Sequence, residues 1–154
     1  RCLVGSEMCI RDRLKRLLES QKMTEQEAEC IRIRDIRRFV ESRLGQRMKK
    51  AAMKKHLYRE QPFVIQRSAS MLDDGWKNET VLVQGIIDAY FMEEEEIVLV
   101  DYKTDRVRRG QEQKLIDLYH VQLEDYARAL ERMTGKRVKE KIIYSFTLQK
   151  EILL

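Results

Sequence analysis

Proline occurs once, at Pro62, and glycine only six times in 154 residues, so low-complexity linkers and collagen-like repeats are excluded. No apolar stretch approaches the roughly 20 residues that a membrane-spanning helix requires, which argues against a membrane role. Histidine is scarce too, with two residues, and the three cysteines Cys2, Cys9 and Cys30 form neither a CxxC pair nor an even set. Neither a zinc site nor a disulfide framework is expected, and a reducing cytoplasm suits such a chain. What remains is 43% hydrophobic and 37% charged, the composition of one ordinary domain with a buried core.

The charge is unevenly placed. Residues 1–60 carry 17 Lys and Arg against 9 Asp and Glu, a net +8, whereas residues 61–154 carry 14 against 17, a net −3. A basic half beside an acidic half suits a polyanion-binding surface next to a cation-binding site, although a solvated helical face would look the same. The opening stretch, Arg1 to Arg13, reads as translated sequencing-adapter text, and its apolar runs are broken by Gly5, Glu7 and Asp12, so it is no secretion signal. It is set aside as non-native, leaving residues 14–154 as the functional domain.

From Leu14 to about Leu57 the pattern is helical. Thr24 and Glu27 have capping-box spacing, Ile31, Ile36, Phe39 and Val40 supply an apolar stripe, and Gly45 is a plausible stop. A second short helix would run through Met48, Ala52 and Met53 until Pro62 forbids its continuation. Strands are expected at Phe63–Gln66, Val81–Phe91, Ile97–Tyr102 and Lys141–Leu148, with a turn at Asp73, Asp74 and Gly75. A helix is expected from about Gln111 to Met133, because Leu115, Tyr119, Leu123, Tyr126 and Leu130 share one side and Gly135 follows. The order gives an α/β fold, a mixed central sheet flanked by helices behind a helical lead-in.

Two acids stand out. Asp88 is the one charged residue in the run Val81–Phe91, and Asp101 closes the next run. If Glu93–Glu96 forms a four-residue hairpin loop, Met92 pairs with Ile97 and Asp88 falls opposite Asp101, with Cβ atoms about 4.5–5.5 Å apart. Two carboxylates so close in an apolar sheet leave one protonated or hold a cation between them. Mg²⁺, which prefers one or two carboxylates plus waters and phosphate, resolves the repulsion, with Mn²⁺ as a substitute.

Lys103, two residues after Asp101, turns its side chain the same way as Asp101 does. An ammonium there can hold an attacking water or neutralise charge developing on a phosphorane. On the helix, Gln122 and Tyr126 share a face. The glutamine amide, on an otherwise apolar stripe, needs partners, which a nucleotide phosphate or a metal-bound water could supply, with Tyr126 in support.

The segments GIIDAYF (Gly85–Phe91), VDYKTDR (Val100–Arg106) and YHVQLEDYARAL (Tyr119–Leu130) resemble the G-x-x-D, D-x-K and Q-x-x-x-Y motifs of the RecB-like nucleases, a branch of the PD-(D/E)XK superfamily. REQPF (Arg59–Phe63) and the lead-in ESRLGQRM are similar to the AddA-type helicase–nucleases in particular. The resemblance implies a restriction-endonuclease-like core, Mg²⁺-dependent exonucleolytic cleavage of single DNA strands in double-strand break repair, an ATP-driven helicase motor in the same polypeptide and an AddB-type partner in the bacterial cytoplasm. It also implies Asp88 and Asp101 as metal ligands, the Tyr102 carbonyl as a further ligand, Lys103 as the catalytic lysine, and Gln122 and Tyr126 near DNA. Glu60 matches the glutamate of R-E-x-P-F, either orienting the site or pairing with a basic residue.

The chain departs from the family by lacking the metal-binding histidine of a G-x-x-x-H-like helix. His56 stands in the wrong context, so the domain is expected to be truncated at its N-terminus. The four-cysteine iron–sulfur pattern of AddB is absent as well. A stand-alone phage or CRISPR-associated nuclease of the same branch and a catalytically inactive DNA-binding scaffold are the alternative readings.

Overall fold

Thr24 caps a helix as its spacing predicts. In a computed structural model that describes residues 7–68 and 80–154, the Thr24 hydroxyl accepts the Glu27 backbone N–H at 3.2 Å, and Glu27 accepts the Thr24 N–H at 2.8 Å. Four helices make up the lead-in: α1 (Glu7–Glu19), α2 (Glu25–Cys30), α3 (Ile33–Glu41) and α4 (Arg43–Met53). Helix α1 runs through residue 13 without a break. Cys30 is an exposed free thiol, whereas Cys9, against the sequence expectation, is disulfide-bonded.

The single helix expected from Thr24 to Gly45 is broken twice. The helix that Thr24 opens ends at Cys30, with Ile31 extended at its C-cap, before α3 begins at Ile33. Gly45 does not stop α3 either: that break falls at Ser42, whose hydroxyl donates to the Phe39 carbonyl at 2.6 Å and accepts the Gly45 N–H at 3.1 Å. Gly45 lies in the first turn of α4, where a Cβ would sit 2.1 Å from the Phe39 carbonyl oxygen. Its absent side chain permits the tight junction between α3 and α4. The helical pattern also ends earlier than Leu57, because Lys55 takes a left-handed φ of 60° after Met53.

The chain divides into two compact units, Arg1–Lys50 and Ala51–Leu154. The second is a five-stranded sheet of β1 (Leu57–Ser68), β2 (Thr80–Glu93), β3 (Glu96–Lys103), β4 (Val138–Ser145) and β5 (Lys150–Leu153), in that spatial order. Helix α5 (Glu112–Thr134) connects β3 to β4, the one parallel pair among the described residues. This is the mixed sheet that the sequence predicts, with α5 packed on it and a helical lead-in before it in the chain.

Pro62 sits inside β1, not before it, paired with Ile86. Among the described residues β1 is an edge strand of the sheet, and edge strands are where proline's missing N–H is tolerated. The predicted final strand Lys141–Leu148 starts earlier and stops sooner, as β4 (Val138–Ser145); the chain turns at Phe146–Gln149, with Gln149 at φ 53°, and a further strand, β5, follows it. The turn expected at Asp73–Gly75 lies outside the described residues.

Between β2 and β3 the turn is two residues, not four. Glu93 pairs with Glu96, and Glu94 adopts φ 57°. The acidic run is matched by cations before β4 and within it, through the pairs Glu93–Lys139, Glu95–Lys136 and Glu96–Arg137. Ile97 to Val100 are all fully buried, as befits the central strand. Helix α5 lays Leu115, Leu123, Tyr126 and Leu130 on a cluster with Phe63, Ile65, Ile87, Tyr90, Leu99 and Ile143. Gly135 closes the helix at φ 69°.

Candidate active site

Three of the sequence motifs meet through packing before any chemistry is considered. Gly85 lies opposite Phe63 in the β1–β2 ladder, and a Cβ at Gly85 would come within 2.9 Å of the Phe63 ring. The ring therefore lies across the glycine, and its other side meets Tyr126 edge-on at 5.1 Å and 69°. G-x-x-D, R-E-x-P-F and Q-x-x-x-Y are thus parts of one packed unit.

Three residues beyond Gly85, the strands distort. Ile87 and Tyr90 both enter the cluster under α5, so the two-residue alternation of β2 is interrupted at Asp88. The ladder passes from Gln61↔Ile87 to Arg59↔Ala89 without a pair at Glu60 and Asp88. Glu60 adopts φ 51°, a conformation that costs a non-glycine residue about 1–3 kcal/mol. Arg59, Glu60, Asp88 and Tyr102 line an open cleft at this point.

Met92 pairs with Ile97 as the assumed register requires, but the β2–β3 ladder ends at Ala89↔Val100. Past that point the Asp88 carboxylate accepts the Tyr102 backbone N–H at 2.9 Å. Asp88 is thereby tied to β3 by a hydrogen bond to the residue after Asp101, and not by the ladder pair with Asp101 that the sequence suggested.

Asp101 is 2% exposed. Its Oδ2 lies 2.6 Å from Lys103 Nζ, so the buried carboxylate is held in an ion pair with that ammonium. Burial raises its pKa, Lys103 offsets the rise only in part, and the negative charges of Asp88 and Asp105 add to it. Asp101 and Asp88 act on Tyr126 as well, whose phenol is raised by burial first and then by these two acids. The Tyr102 phenol is pushed up to about 12, chiefly by burial.

Lys103 is enclosed on several sides. Its ammonium donates to Gln122 Oε1 at 3.2 Å and sits 4.0 Å from the centroid of the Tyr119 ring. The Tyr119 hydroxyl in turn donates to both carboxylate oxygens of Asp105, at 3.0 and 3.1 Å. Sequence reasoning placed Tyr119 only in an apolar stripe and passed over Asp105. The signal was available, because Tyr119 precedes Gln122 by three residues on one helical face.

Of the residues singled out in the sequence, Asp101, Lys103 and Gln122 are linked directly, Asp88 and Tyr126 border them, and Glu60 faces the cleft with Asp88 and Tyr102. The histidines lie elsewhere: the His56 carbonyl accepts the Met92 N–H at 3.0 Å, and the His120 ring contacts the Asp117 carbonyl at 3.2 Å. Among the described residues no three His, Cys, Asp or Glu side chains gather as a ready-made metal cage. Magnesium does not need one, since one or two carboxylates suffice when water and phosphate complete the shell. A buried carboxylate whose neighbours include a second carboxylate as well as one ammonium fits a cation of that kind.

Among the described residues no helix is long and apolar enough to cross a membrane. The chain is 38% identical over 154 residues to the A-type subunit of an ATP-dependent helicase/nuclease from Alkaliphilus oremlandii, a match that covers 98% of this chain and 13% of that protein. It is 41% identical over 141 residues to the protein of the same name in Thermoanaerobacter pseudethanolicus, covering 89% of this chain and 11% of the relative. For Clostridium novyi the figures are 38% over 156 residues, 96% and 12%. The chain thus spans only 11–13% of the length of these relatives. With residues 6–152 matching the family as a whole, and a buried acid–lysine pair set in a mixed sheet, this chain belongs to the PD-(D/E)XK nuclease superfamily.

Proposed function

We propose that the chain is the Mg²⁺-dependent exonuclease module of an AddA-type helicase–nuclease, cutting single DNA strands delivered by a motor during double-strand break repair in the bacterial cytoplasm. The observation that carries this reading is the Asp101 carboxylate, buried and ion-paired with the Lys103 ammonium, with the Asp88 carboxylate beside it. Asp88, Asp101 and the Tyr102 carbonyl would hold the cation. When bound, a divalent ion polarises a phosphoryl oxygen and lowers the pKa of water.

The chain's own groups account for the rest. Lys103 places a positive charge where charge builds on phosphorus, in a setting shielded from water that magnifies it. Gln122 fixes that ammonium from α5 and leaves its amide N–H groups to a phosphate. Tyr126 supports the helix face that carries Gln122. Glu60, beside Arg59 in the cleft, orients the Asp88 side of the site. The partners that fit are DNA and an AddB-type protein. A helicase-linked module is favoured over a stand-alone nuclease because the relatives named above carry helicase/nuclease names and are matched along nearly all of this chain.

The test is single-strand DNA cleavage by the chain in Mg²⁺ or Mn²⁺, beside calorimetric titration with Mn²⁺. Asp101→Ala should abolish cleavage and weaken Mn²⁺ binding by about tenfold or more, the order expected when a carboxylate ligand to a hard cation is removed. Cleavage near the parental rate in that variant would sink the assignment.

A further inference from the structure

We propose that Tyr119 and Asp105 are positioning residues for Lys103, a role that rests on the reading of Lys103 given above. A lysine carries its charge on a flexible four-carbon stem, so an ammonium that must meet one phosphate needs walls. Asp101 alone makes a poor wall. It attracts the ammonium to 2.6 Å and, without an opposing pull, would keep it on the carboxylate and away from the substrate.

Tyr119 supplies the opposing pull. Its ring face, 4.0 Å from Nζ, attracts the cation through the ring quadrupole but cannot take its proton. The ring is held in turn, because its hydroxyl donates to both oxygens of Asp105. Donation to a carboxylate also feeds electron density into the ring, which strengthens its hold on a cation.

Placement makes this a tie between elements. Asp105 follows Lys103 by two residues just beyond β3, while Tyr119 rides on α5 three residues before Gln122. Side chains three apart on a helix lie on one face, so α5 presents a ring and an amide to the lysine together. Tyr119 is also partly buried against the main cluster, which fixes its backbone. The Asp105–Tyr119 bond therefore clamps the end of β3 to α5 around Lys103.

The experiment compares single-strand cleavage by the chain and by Tyr119→Leu, Tyr119→Phe, Asp105→Ala and the Phe/Ala double variant, each checked by thermal melting. Tyr119→Leu should lower kcat about tenfold or more, the order expected when a supporting group lets a catalytic one drift, with KM unchanged. Tyr119→Phe and Asp105→Ala should each cost less than Tyr119→Leu, and the double variant should be no worse than Asp105→Ala alone, because both changes delete the same bond while Asp105→Ala also removes a charge acting on Asp101.

A readout independent of cleavage is the proton resonance of the Lys103 ε-methylene in the metal-free chain. The ring above it should shift that resonance upfield in the parent and in the Phe variant, and the shift should vanish in the Leu variant. A raised KM with unchanged kcat would overturn the proposal by making Tyr119 a DNA contact. Additive losses from Asp105→Ala and Tyr119→Phe would overturn it equally. Lys103→Ala is the control and should slow cleavage about 10²-fold while Mn²⁺ affinity holds or rises, since a neighbouring positive charge is gone. Parental activity in that control would instead remove the reading of the site on which the proposal stands.

Discussion

Gly85 shows how a motif glycine can serve packing. Its neighbour across the ladder, Phe63, occupies the volume that a Cβ would need, and that ring is what Tyr126 leans against. Gly85→Ala should destabilise the chain by about 1–3 kcal/mol, the usual cost of overpacking a core. Thermal or urea unfolding measures it, and Phe63→Leu in the same chain should recover part of the loss by vacating the space. Equal stability of Gly85→Ala and the parent would mean that the strands part at no cost, and that the three motifs are not mechanically joined. The positive φ of Glu60 is a related feature, strain placed where β1 passes Asp88.

At the scale of the element, the Thr24 box invites a pH experiment. Hydrogen bonds from the Thr24 backbone N–H and then its hydroxyl hold the Glu27 carboxyl below its usual value. A carboxylate depressed in the folded state contributes stability that is complete above its unfolded pKa, about 4.3. That contribution is lost as pH falls through the lower folded value. Amide exchange at Thr24 and Glu27 should therefore accelerate across that acid window relative to the intrinsic rate, and Glu27→Gln should flatten the dependence. Exchange that follows only the intrinsic pH dependence would show that the box does not hold α2.

The elements also show what a sequence can disclose. The capping box, the Met92–Ile97 register, α5 with its terminal Gly135 and the central strand were legible, because each is written in local spacing or in an unbroken apolar run. Asp88, Asp101, Lys103 and Gln122 followed from those elements. Pro62 misled because whether a strand tolerates proline depends on its being at an edge, which is a fact about the sheet. Gly45 misled because it serves a close approach to Phe39 and not a helix end. β5 was missed because four residues, KEIL, carry no period of their own, and Asp105 because its partner Tyr119 lies across the β3–α5 connection.

Across the whole sheet, one pair of strands differs from the others. β2 and β3 meet through a two-residue turn, whereas β3 and β4 run parallel and must wait for α5 to form and cross between them. Closing a short loop costs little chain entropy, and closing a long one is slower. The chain should therefore gain Asp88 and Asp101 with its early hairpin, and the supports of Lys103 on α5 only at the end. In stopped-flow refolding, Val98→Ala should slow folding, whereas Ile143→Val should mainly hasten unfolding. Millimolar Mn²⁺ should then quicken the folding limb, because the half-built hairpin already offers its two carboxylates to an ion. If the chain is the metal-dependent nuclease proposed above, a molecule assembled in this order gains its hold on a cation before its capacity to cut, and stays harmless to DNA until α5 has docked.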